Sequence, residues 1–249
     1  VVYRYDNFHN KEKSSNGVVT SDRENTDVNR YKIGLNLSSK VNDYVKFNSR
    51  FIVGSKANGG WASLNAGKEN NTDNVQGFDG QADVSLSNAY FGFTAIPNTV
   101  VNIGKQGLTT PYTVAVDING NEQTGTGILA LSTFGPITAG AGYFNATNLD
   151  DSGNGASTQG VTVNHRAAIK NGADMYVATV QGDLDFVKLE AWYAGMQQTF
   201  GSYTLAATSN LDLAENAKLG LEARYVNLQL NDKVLQTIAL TSDDNSMFR

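Results

Sequence analysis

The chain has 249 residues, a formal net charge of −5 at pH 7 and no cysteine. The absence of cysteine excludes a disulfide-stapled scaffold, a cysteine-ligated metal site and thiol catalysis. The acidic balance argues against nucleic acid as a partner, because nucleic acid is bound by basic surfaces. Charged residues make up only 17% of the chain, and 25 Gly fit strands joined by turns better than long helices.

Apolar and polar residues alternate along the chain with the period of a β-strand. The alternation is clearest at 30–38, 45–53, 186–193 and 218–225. Weaker alternation predicts further strands at 1–8, 84–94, 99–106, 128–133, 137–143, 174–180, 203–208 and 234–240. The sequence therefore predicts about twelve strands, with turns at 134–136 and 199–202.

Connectors of two kinds alternate between these predicted strands. The tight ones are 39–43, 95–98, 134–136, 181–183 and 212–216. The mostly longer ones, rich in Asn, Gly, Ser and Asp, are 10–28, 54–81, 107–126, 145–172, 196–202 and 227–232. Short turns at one edge and long polar loops at the other are typical of an outer-membrane barrel, whereas a soluble sandwich gives no reason for this alternation.

The two faces of the predicted strands differ in polarity. The apolar face carries aromatic residues at several strand ends, as expected for girdles at a lipid–water boundary: Tyr3, Tyr5, Tyr31, Phe93, Tyr143, Tyr193 and Tyr225. A charged opposite face alone would also suit a sheet in bulk solvent. Together with the loops and the strand number, the girdle predicts an all-β fold, a transmembrane antiparallel up-and-down β-barrel that spans 1–249 as a single domain.

Several segments form a series whose order is more informative than any one of them. They are Tyr3-Arg4-Tyr5-Asp6, residues 30–38, residues 41–47, Asn88-Ala89-Tyr90-Phe91-Gly92-Phe93-Thr94, residues 101–106 and Thr126-Gly127-Ile128-Leu129-Ala130. In this order they resemble the opening of a Gram-negative porin, and most closely the major outer membrane protein porins of Campylobacter-type bacteria. The resemblance extends from about residue 1 to residue 143.

This resemblance implies a homotrimer of 18-stranded, water-filled pores in the outer membrane of a Gram-negative bacterium. The partners it implies are outer-membrane lipid and lipopolysaccharide, together with the small hydrophilic solutes and ions that pass through. About twelve strands are too few for that family, and residues 245–249 do not read as a closing strand with a terminal aromatic. We therefore expect the chain to be incomplete at its C-terminus and to form part of a barrel of roughly 16–18 strands. A complete twelve-stranded barrel is the alternative.

Charged residues on the polar face are the candidate pore-lining groups. On the first three strands these are the basic residues Arg4, Arg30, Lys32, Lys46 and Arg50, which form either a solvated face or a basic ladder along the pore. On the later strands they are Lys188, Glu190, Lys218, Glu222 and Arg224. Glu190 and Glu222 either form a carboxylate pair on one barrel face or pair with Lys188 and Arg224, respectively, and we expect the second arrangement.

The segment 107–126 is the candidate constriction loop. It follows the predicted strand 99–106 and carries two further candidate pore-lining residues, Asp117 and Glu122. The resemblance to porins implies that the loop at this place folds into the lumen. A basic wall that faces an acidic loop would filter solutes by size and charge.

Three carboxylates form a candidate calcium site. Asp117, Asp150 and Asp151 offer hard oxygen ligands, of which Ca²⁺ takes six to eight. The EF-hand spacing is not met, so two ordinary polar turns remain the alternative. The resemblance implies a bound calcium near the constriction, and no cofactor is expected to be required.

The sequence favours a porin that allows passive diffusion of ions and small hydrophilic solutes. We do not expect an enzyme, because the chain has no G-x-S-x-G nucleophile elbow and its two histidines, His9 and His165, are far apart in the sequence. The net charge favours a mild cation preference, whereas the assigned wall is basic, and the two are not reconciled by sequence alone. A β-rich surface adhesin or binding module without channel activity is the alternative function.

Overall fold

The computed structural model describes residues 1–54, 61–64, 82–113, 115–116, 122–149, 173–214, 217–232, 234–235 and 242–249. For 6–13, 19–28 and 63, only the backbone is described. Strands dominate this part of the chain. They are β1 (Val2–Lys13), β2 (Val19–Lys40), β3 (Val45–Gly54), β4 (Ala62–Ser63), β5 (Asp83–Phe93), β6 (Thr99–Gly107), β7 (Thr124–Phe134), β8 (Ile137–Thr147), β9 (Met175–Leu184), β10 (Val187–Met196), β11 (Phe200–Ala214), β12 (Ala217–Leu230) and β13 (Asp244–Phe248).

The strands hydrogen-bond in the order in which they follow along the chain, from β1 to β13, and only β4 lies off this path, paired with β2. The pairing is antiparallel between β1 and β2 and between successive strands from β5 to β13. The predicted antiparallel up-and-down arrangement is thereby confirmed. The chain falls into two compact units, residues 1–36 with 50–86 and residues 37–49 with 87–249. Within the described residues, no helix is both long and apolar enough to cross a bilayer.

Short turns join several neighbouring strands. Gly135 and Pro136 connect β7 to β8, which confirms the predicted turn at 134–136. Gly135 has a φ of 56°, a left-handed conformation that glycine adopts without steric cost. On the opposite edge, the turn between β10 and β11 comprises 197–199, so the predicted turn at 199–202 is displaced toward the N-terminus.

Several predicted connectors are wrong or too long, because strand pairing continues through or into them; one is 212–216, which β11 enters as far as Ala214. The predicted loop 10–28 is mostly strand, with Asn10 opposite Arg23 and Lys11 opposite Asp22. Polar residues dominate this hairpin, so it has no hydrophobic alternation for a sequence pattern to detect. Likewise, β9 extends through 181–183, and β12 extends into the predicted connector 227–232 as far as Leu230.

The C-terminal part of the chain differs most from the prediction. The predicted strand 234–240 is wrong at its start, because Val234 and Leu235 are helical and both donate backbone hydrogen bonds to the Asn231 carbonyl. The remaining residues of that prediction, 236–240, lie outside the described residues. In addition, Asp244–Phe248 forms a strand paired with β12, which the sequence did not predict.

The strands of the second unit have an inverted distribution of polarity. Along β11, Ser202 and Thr204 are almost completely buried, whereas the alternating Tyr203 and Leu205 are 44% and 52% exposed. A sheet in water buries its apolar residues and exposes its polar ones. We call the side of this sheet that carries Tyr203 and Leu205 the apolar face, and the side that carries Ser202 and Thr204 the polar face.

Tyrosines form a row across the apolar face near one end of the strands. Tyr193 lies opposite Tyr203 in the β10–β11 pairing. The ring centroids of Tyr143 and Tyr176 are 5.4 Å apart, and those of Tyr203 and Tyr225 are 6.0 Å apart. An aromatic row beside exposed aliphatic side chains is the arrangement of a membrane girdle. In the first unit, the predicted girdle residues Tyr3 and Tyr5 are also exposed.

Candidate functional site

The segment after β6 folds against the polar face of the second unit. Leu108 and Tyr112 are buried in one hydrophobic cluster with Phe144, Met175 and Val177. These partners belong to β8 and β9, so the segment covers strands that follow it in the sheet. Burial of apolar area is the main favourable term that holds such a loop in place.

Tyr112 anchors the segment to a strand far along the sheet. Its hydroxyl lies 2.7 Å from Thr204 Oγ1 and 2.9 Å from Ser202 Oγ, and Ser202 donates a 2.6 Å hydrogen bond to the Asn227 carbonyl. Four strands, β7 to β10, stand between β6 and β11 in the sheet order. Residues 108–113 therefore extend across the polar face, and the hydroxyls of Thr204 and Ser202 are paired with a partner from the segment.

The returning limb of the segment is fixed by polar contacts. Glu122 is buried, and its carboxylate accepts a hydrogen bond from the Ser87 hydroxyl. The Asn148 side chain joins this limb to the end of β8: its Nδ2 donates to the Glu122 carbonyl at 2.8 Å, and its Oδ1 accepts from the Thr124 amide at 2.7 Å. Gln123 donates from its backbone amide to the Ala115 carbonyl at 3.0 Å. The two limbs are thus bonded to each other and to the sheet.

Glycines permit the close approach of the segment to the sheet. A β-carbon added at Gly125 would lie 2.8 Å from Phe144 Cδ1 and 3.1 Å from Leu108 Cδ2. One added at Gly107 would lie 2.9 Å from Ala115 Cβ. Since real β-carbons rarely approach so closely, both positions require glycine or a shift of their neighbours.

The basic residues of the first unit lie close to one another. Arg4 lies directly opposite Arg30 in the β1–β2 pairing. Lys32 is buried, with its Nζ 5.2 Å from the centroid of the Trp61 ring, a cation–π distance. Arg50 donates from Nη1 to Asn36 Oδ1 at 2.8 Å. The contacts of Lys32 and Arg50 hold these two cations in defined positions on strands that the sequence assigned to a basic ladder.

The charged residues of the second unit are paired locally. Lys188 Nζ lies 2.9 Å from Glu190 Oε1, and Arg224 Nε lies 3.0 Å from Glu222 Oε1, which confirms both predicted pairings. Lys218 Nζ lies 3.3 Å from Asp212 Oδ1 across the β11–β12 hairpin, a partner that the sequence did not single out. Lys46, the residue of the predicted basic ladder that belongs to this second unit, is exposed. All of these pairs lie near the surface, where each contributes at most about 1 kcal/mol.

Three predicted residues fall outside the described part of the chain. These are Asp117, Asp150 and Asp151, the candidate calcium ligands, of which Asp117 is also a candidate pore-lining residue. Among the residues that the structure does describe, no group of three His, Cys, Asp or Glu side chains could hold a metal ion. The calcium site therefore stays a prediction.

Sequence reasoning missed the residues that attach the segment to the sheet. Tyr112, Ser202 and Thr204 have no motif or spacing in common, and Tyr112 is separated by 92 positions from Thr204. The available signal was weaker: Ser202 and Thr204 are polar residues in a strand whose alternate positions are apolar. Such a pattern indicates which face they occupy but not what covers them.

Solved structures with the same fold include an outer membrane protein, OpdK, of Pseudomonas aeruginosa. Pseudomonas aeruginosa OpdL matches at 13% identity with a TM-score of 0.59, covering 94% of this chain and 54% of OpdL. Pseudomonas aeruginosa OpdK, solved with vanillate, matches at 14% identity with a TM-score of 0.62, covering 93% and 56%. Pseudomonas aeruginosa OccK2 (OpdF) matches at 14% identity with a TM-score of 0.62, covering 99% and 59%. The chain thus spans less than two thirds of each.

These likenesses confirm the outer-membrane β-barrel fold. A search of curated proteins gives no match. The strongest finding concerns the sequence itself, because residues 1–249 match the family described as the Campylobacter major outer membrane protein. The match covers the whole chain and agrees with the inverted polarity of the strands. It locates the chain in the outer membrane of a Gram-negative bacterium. The chain belongs to the Campylobacter major outer membrane protein family.

Proposed function

We propose that the protein containing this chain is a porin, a water-filled channel for passive diffusion of ions and small hydrophilic solutes. The observation that supports this most strongly is the combination of an exposed apolar face with a polar face that residues 108–113 cross. An apolar face of this kind suits contact with lipid. The polar face then faces an aqueous interior, and a segment that crosses it narrows the passage.

In this proposal the segment 107–126 is the constriction loop. Tyr112 holds it to β11, while Glu122 and Asn148 hold its returning limb. A loop fixed at both limbs keeps a constant aperture, as a size filter requires. Charged side chains on the polar face, among them Glu190 and Glu222, then bias the passage of ions.

The proposal is tested by reconstituting the intact protein in a planar bilayer under a KCl gradient. We expect discrete steps in conductance, with a reversal potential that reports the sign of the dominant constriction charges. A variant with 109–113 replaced by Gly-Ser residues should give larger steps, because the anchor at Tyr112 is lost. If a correctly folded sample gives no steps, the porin is excluded, and a surface adhesin or binding module takes its place.

We propose further that the intact protein assembles as a homotrimer. The support is its membership of a porin family together with the broad apolar face, on which small residues such as Gly182, Ala191, Ala207 and Ala223 lie between larger side chains. Small side chains let neighbouring surfaces approach closely. Cross-linking in native outer membranes, followed by mass measurement in detergent, should give three copies per particle. A monomer under both conditions would contradict this assembly.

We also propose that Asp117, Asp150 and Asp151 contribute to a calcium site at the constriction. The support is that residues beside these aspartates lie close together: Val116 pairs with Glu122, and Asn148 bonds to the Glu122 carbonyl. Addition of Ca²⁺ should lower the conductance in the parent protein and have less effect in the triple Asp→Asn variant. An equal response in both proteins would exclude these carboxylates as ligands.

A further inference from the structure

A cavity of about 490 Å³ lies between residues 107–110 and the polar face of the second unit. Its volume falls within the range of small-molecule binding sites. Part of its lining is apolar and comes from Leu129, Phe144 and Val177. Two further aromatic side chains line it, Tyr90 on β5 and Trp192 on β10, which are the outermost of the strands that contribute to the cavity. No member of the Lys188–Glu190 and Glu222–Arg224 salt bridges lines this cavity.

The polar part of the lining consists of neutral side chains. Four carboxamides contribute to it: Asn88, Asn102, Gln106 and Gln181. None of the described lining residues carries a charge at neutral pH. Each carboxamide can both donate and accept hydrogen bonds, so the lining suits a ligand that has hydroxyl groups. A charged ligand would lose its hydration here without gaining an opposite charge from these residues.

One of these carboxamides has a free acceptor. Asn88 Oδ1 is buried and has no hydrogen-bond partner among the described residues. Most buried polar atoms in proteins are paired. Asn88 lines the cavity, so a rotation of its side chain that turned this oxygen toward a hydroxyl of a bound solute would give the oxygen a hydrogen bond.

Trp192 is oriented by its neighbours. Its indole Nε1 donates a 3.2 Å hydrogen bond to Glu190 Oε2, and Lys188 holds the same carboxylate at 2.9 Å. The polar edge of the indole is thus engaged by Glu190. Its ring surface remains for apolar contact, which is the usual division of roles in a half-buried tryptophan.

We propose that this cavity is a binding subsite for an uncharged, polyhydroxylated ring, that is, a monosaccharide in its pyranose form. The C–H face of such a ring can pack on Trp192 and the neighbouring aliphatic side chains, while its hydroxyls bond to Asn88 and the other carboxamides. This inference rests on the proposed porin function and adds a solute class to it. The porin would then retain neutral sugars briefly beside its constriction loop.

Binding is tested first without any channel measurement. D-glucose is titrated against the intact protein in detergent while tryptophan fluorescence is recorded, and D-glucuronate serves as a ligand with the same ring and one added negative charge. We expect a saturable change with glucose that persists in Trp61→Phe and disappears in Trp192→Phe. A response unaffected by Trp192→Phe, or tighter binding of glucuronate than of glucose, would overturn the proposal.

The second test measures interruption of the ionic current by glucose in a planar bilayer. Trp192→Leu should weaken the block about tenfold, as expected when one central aromatic anchor is removed, and Asn88→Leu should also weaken it. The matched control is Tyr193→Leu, an aromatic residue of the same strand on the apolar face, which should leave the block unchanged. Conductance steps without any glucose block would refute the subsite and leave the porin intact, whereas the absence of steps would refute the porin itself.

Discussion

The two faces of strands β9 to β12 are built from the same alternating sequence but have opposite environments. On the apolar face, Val180 and Leu205 are 54% and 52% exposed. On the polar face, Thr179 and Thr204 are 6% and 0% exposed, although their side chains are more polar. On both faces, therefore, the exposed fractions of the side chains are the reverse of those expected from their polarity in water.

The contrast between the faces indicates that each face contacts a different environment. The polar face is covered in part by the protein itself, through Tyr112 and the rest of the segment. The apolar face has no such cover among the described residues, and its aliphatic and tyrosine side chains match the lipid and the interface of a bilayer. The comparison therefore assigns residues 108–113 to one face and is consistent with lipid at the other.

The largest expected effect comes from placing a charge on the apolar face. Leu205 lies opposite Ala191 in the middle of the β10–β11 pairing, so Leu205→Arg should lower the free energy of unfolding by about 2–4 kcal/mol. Leu189 is closer to the turn at 185–186, and Leu189→Arg should cost less, because the penalty falls toward about 0–1 kcal/mol near the interface. Urea unfolding in phospholipid vesicles measures both, with Leu205→Met as the control. A harmless Leu205→Arg would mean that this face does not meet lipid.

An intermediate effect is expected when the anchor on the polar face is removed. Tyr112→Phe keeps the ring and deletes the hydroxyl between Thr204 and Ser202, which should cost about 1–1.5 kcal/mol, the value of a buried hydrogen bond. The same variant should increase the fluctuation of the open-channel current, because the loop loses its attachment to β11. Tyr176→Phe, on the exposed apolar face, is the control. If both variants behave alike, the segment is not held by this hydroxyl.

The smallest effect on stability, but a clear one on selectivity, is expected from the charges of the polar face. Glu190→Gln should change stability by less than about 1 kcal/mol, because its ion pair with Lys188 is near the surface. It should nevertheless shift the reversal potential toward anion selectivity, since Lys188 is left in place. Asp43→Asn, which removes a carboxylate bound to Lys40 in an exposed turn, should leave the reversal potential unchanged. Equal shifts in the two variants would show that Glu190 has no special place in the pore.

Strands with one lipid-facing and one polar side were predictable, because hydrophobic alternation is the physical requirement for such a strand. The strands around 45–53, 186–193 and 218–225 were found in this way, and so were the local charge pairs of Glu190 and Glu222, whose partners lie two positions away. The hairpin that includes 10–28 could not be predicted in this way, because its pairing depends on backbone hydrogen bonds between mostly polar residues. Period-2 hydrophobicity cannot reveal a strand that has no apolar face.

The attachment of the segment after β6 to the sheet was only partly predictable. The resemblance to porins drew attention to 107–126, but nothing in the sequence connects Tyr112 with Ser202 and Thr204. Their contact depends on the position of β11 in the sheet, which is determined by all the strand pairings between them. The terminal strand Asp244–Phe248 was missed for a related reason: it has only five residues and gains its stability from pairing with β12.

Cysteine labelling of adjacent residues on β12 tests the assignment of the two faces most directly. Leu221 and Glu222 follow each other on this strand and point to the apolar and polar faces, and the chain contains no cysteine of its own. In planar bilayers, a charged, membrane-impermeant methanethiosulfonate reagent should change the current through Glu222→Cys and leave Leu221→Cys and the parent protein unaffected. A reaction at Leu221→Cys with none at Glu222→Cys would reverse the faces and contradict the channel described here.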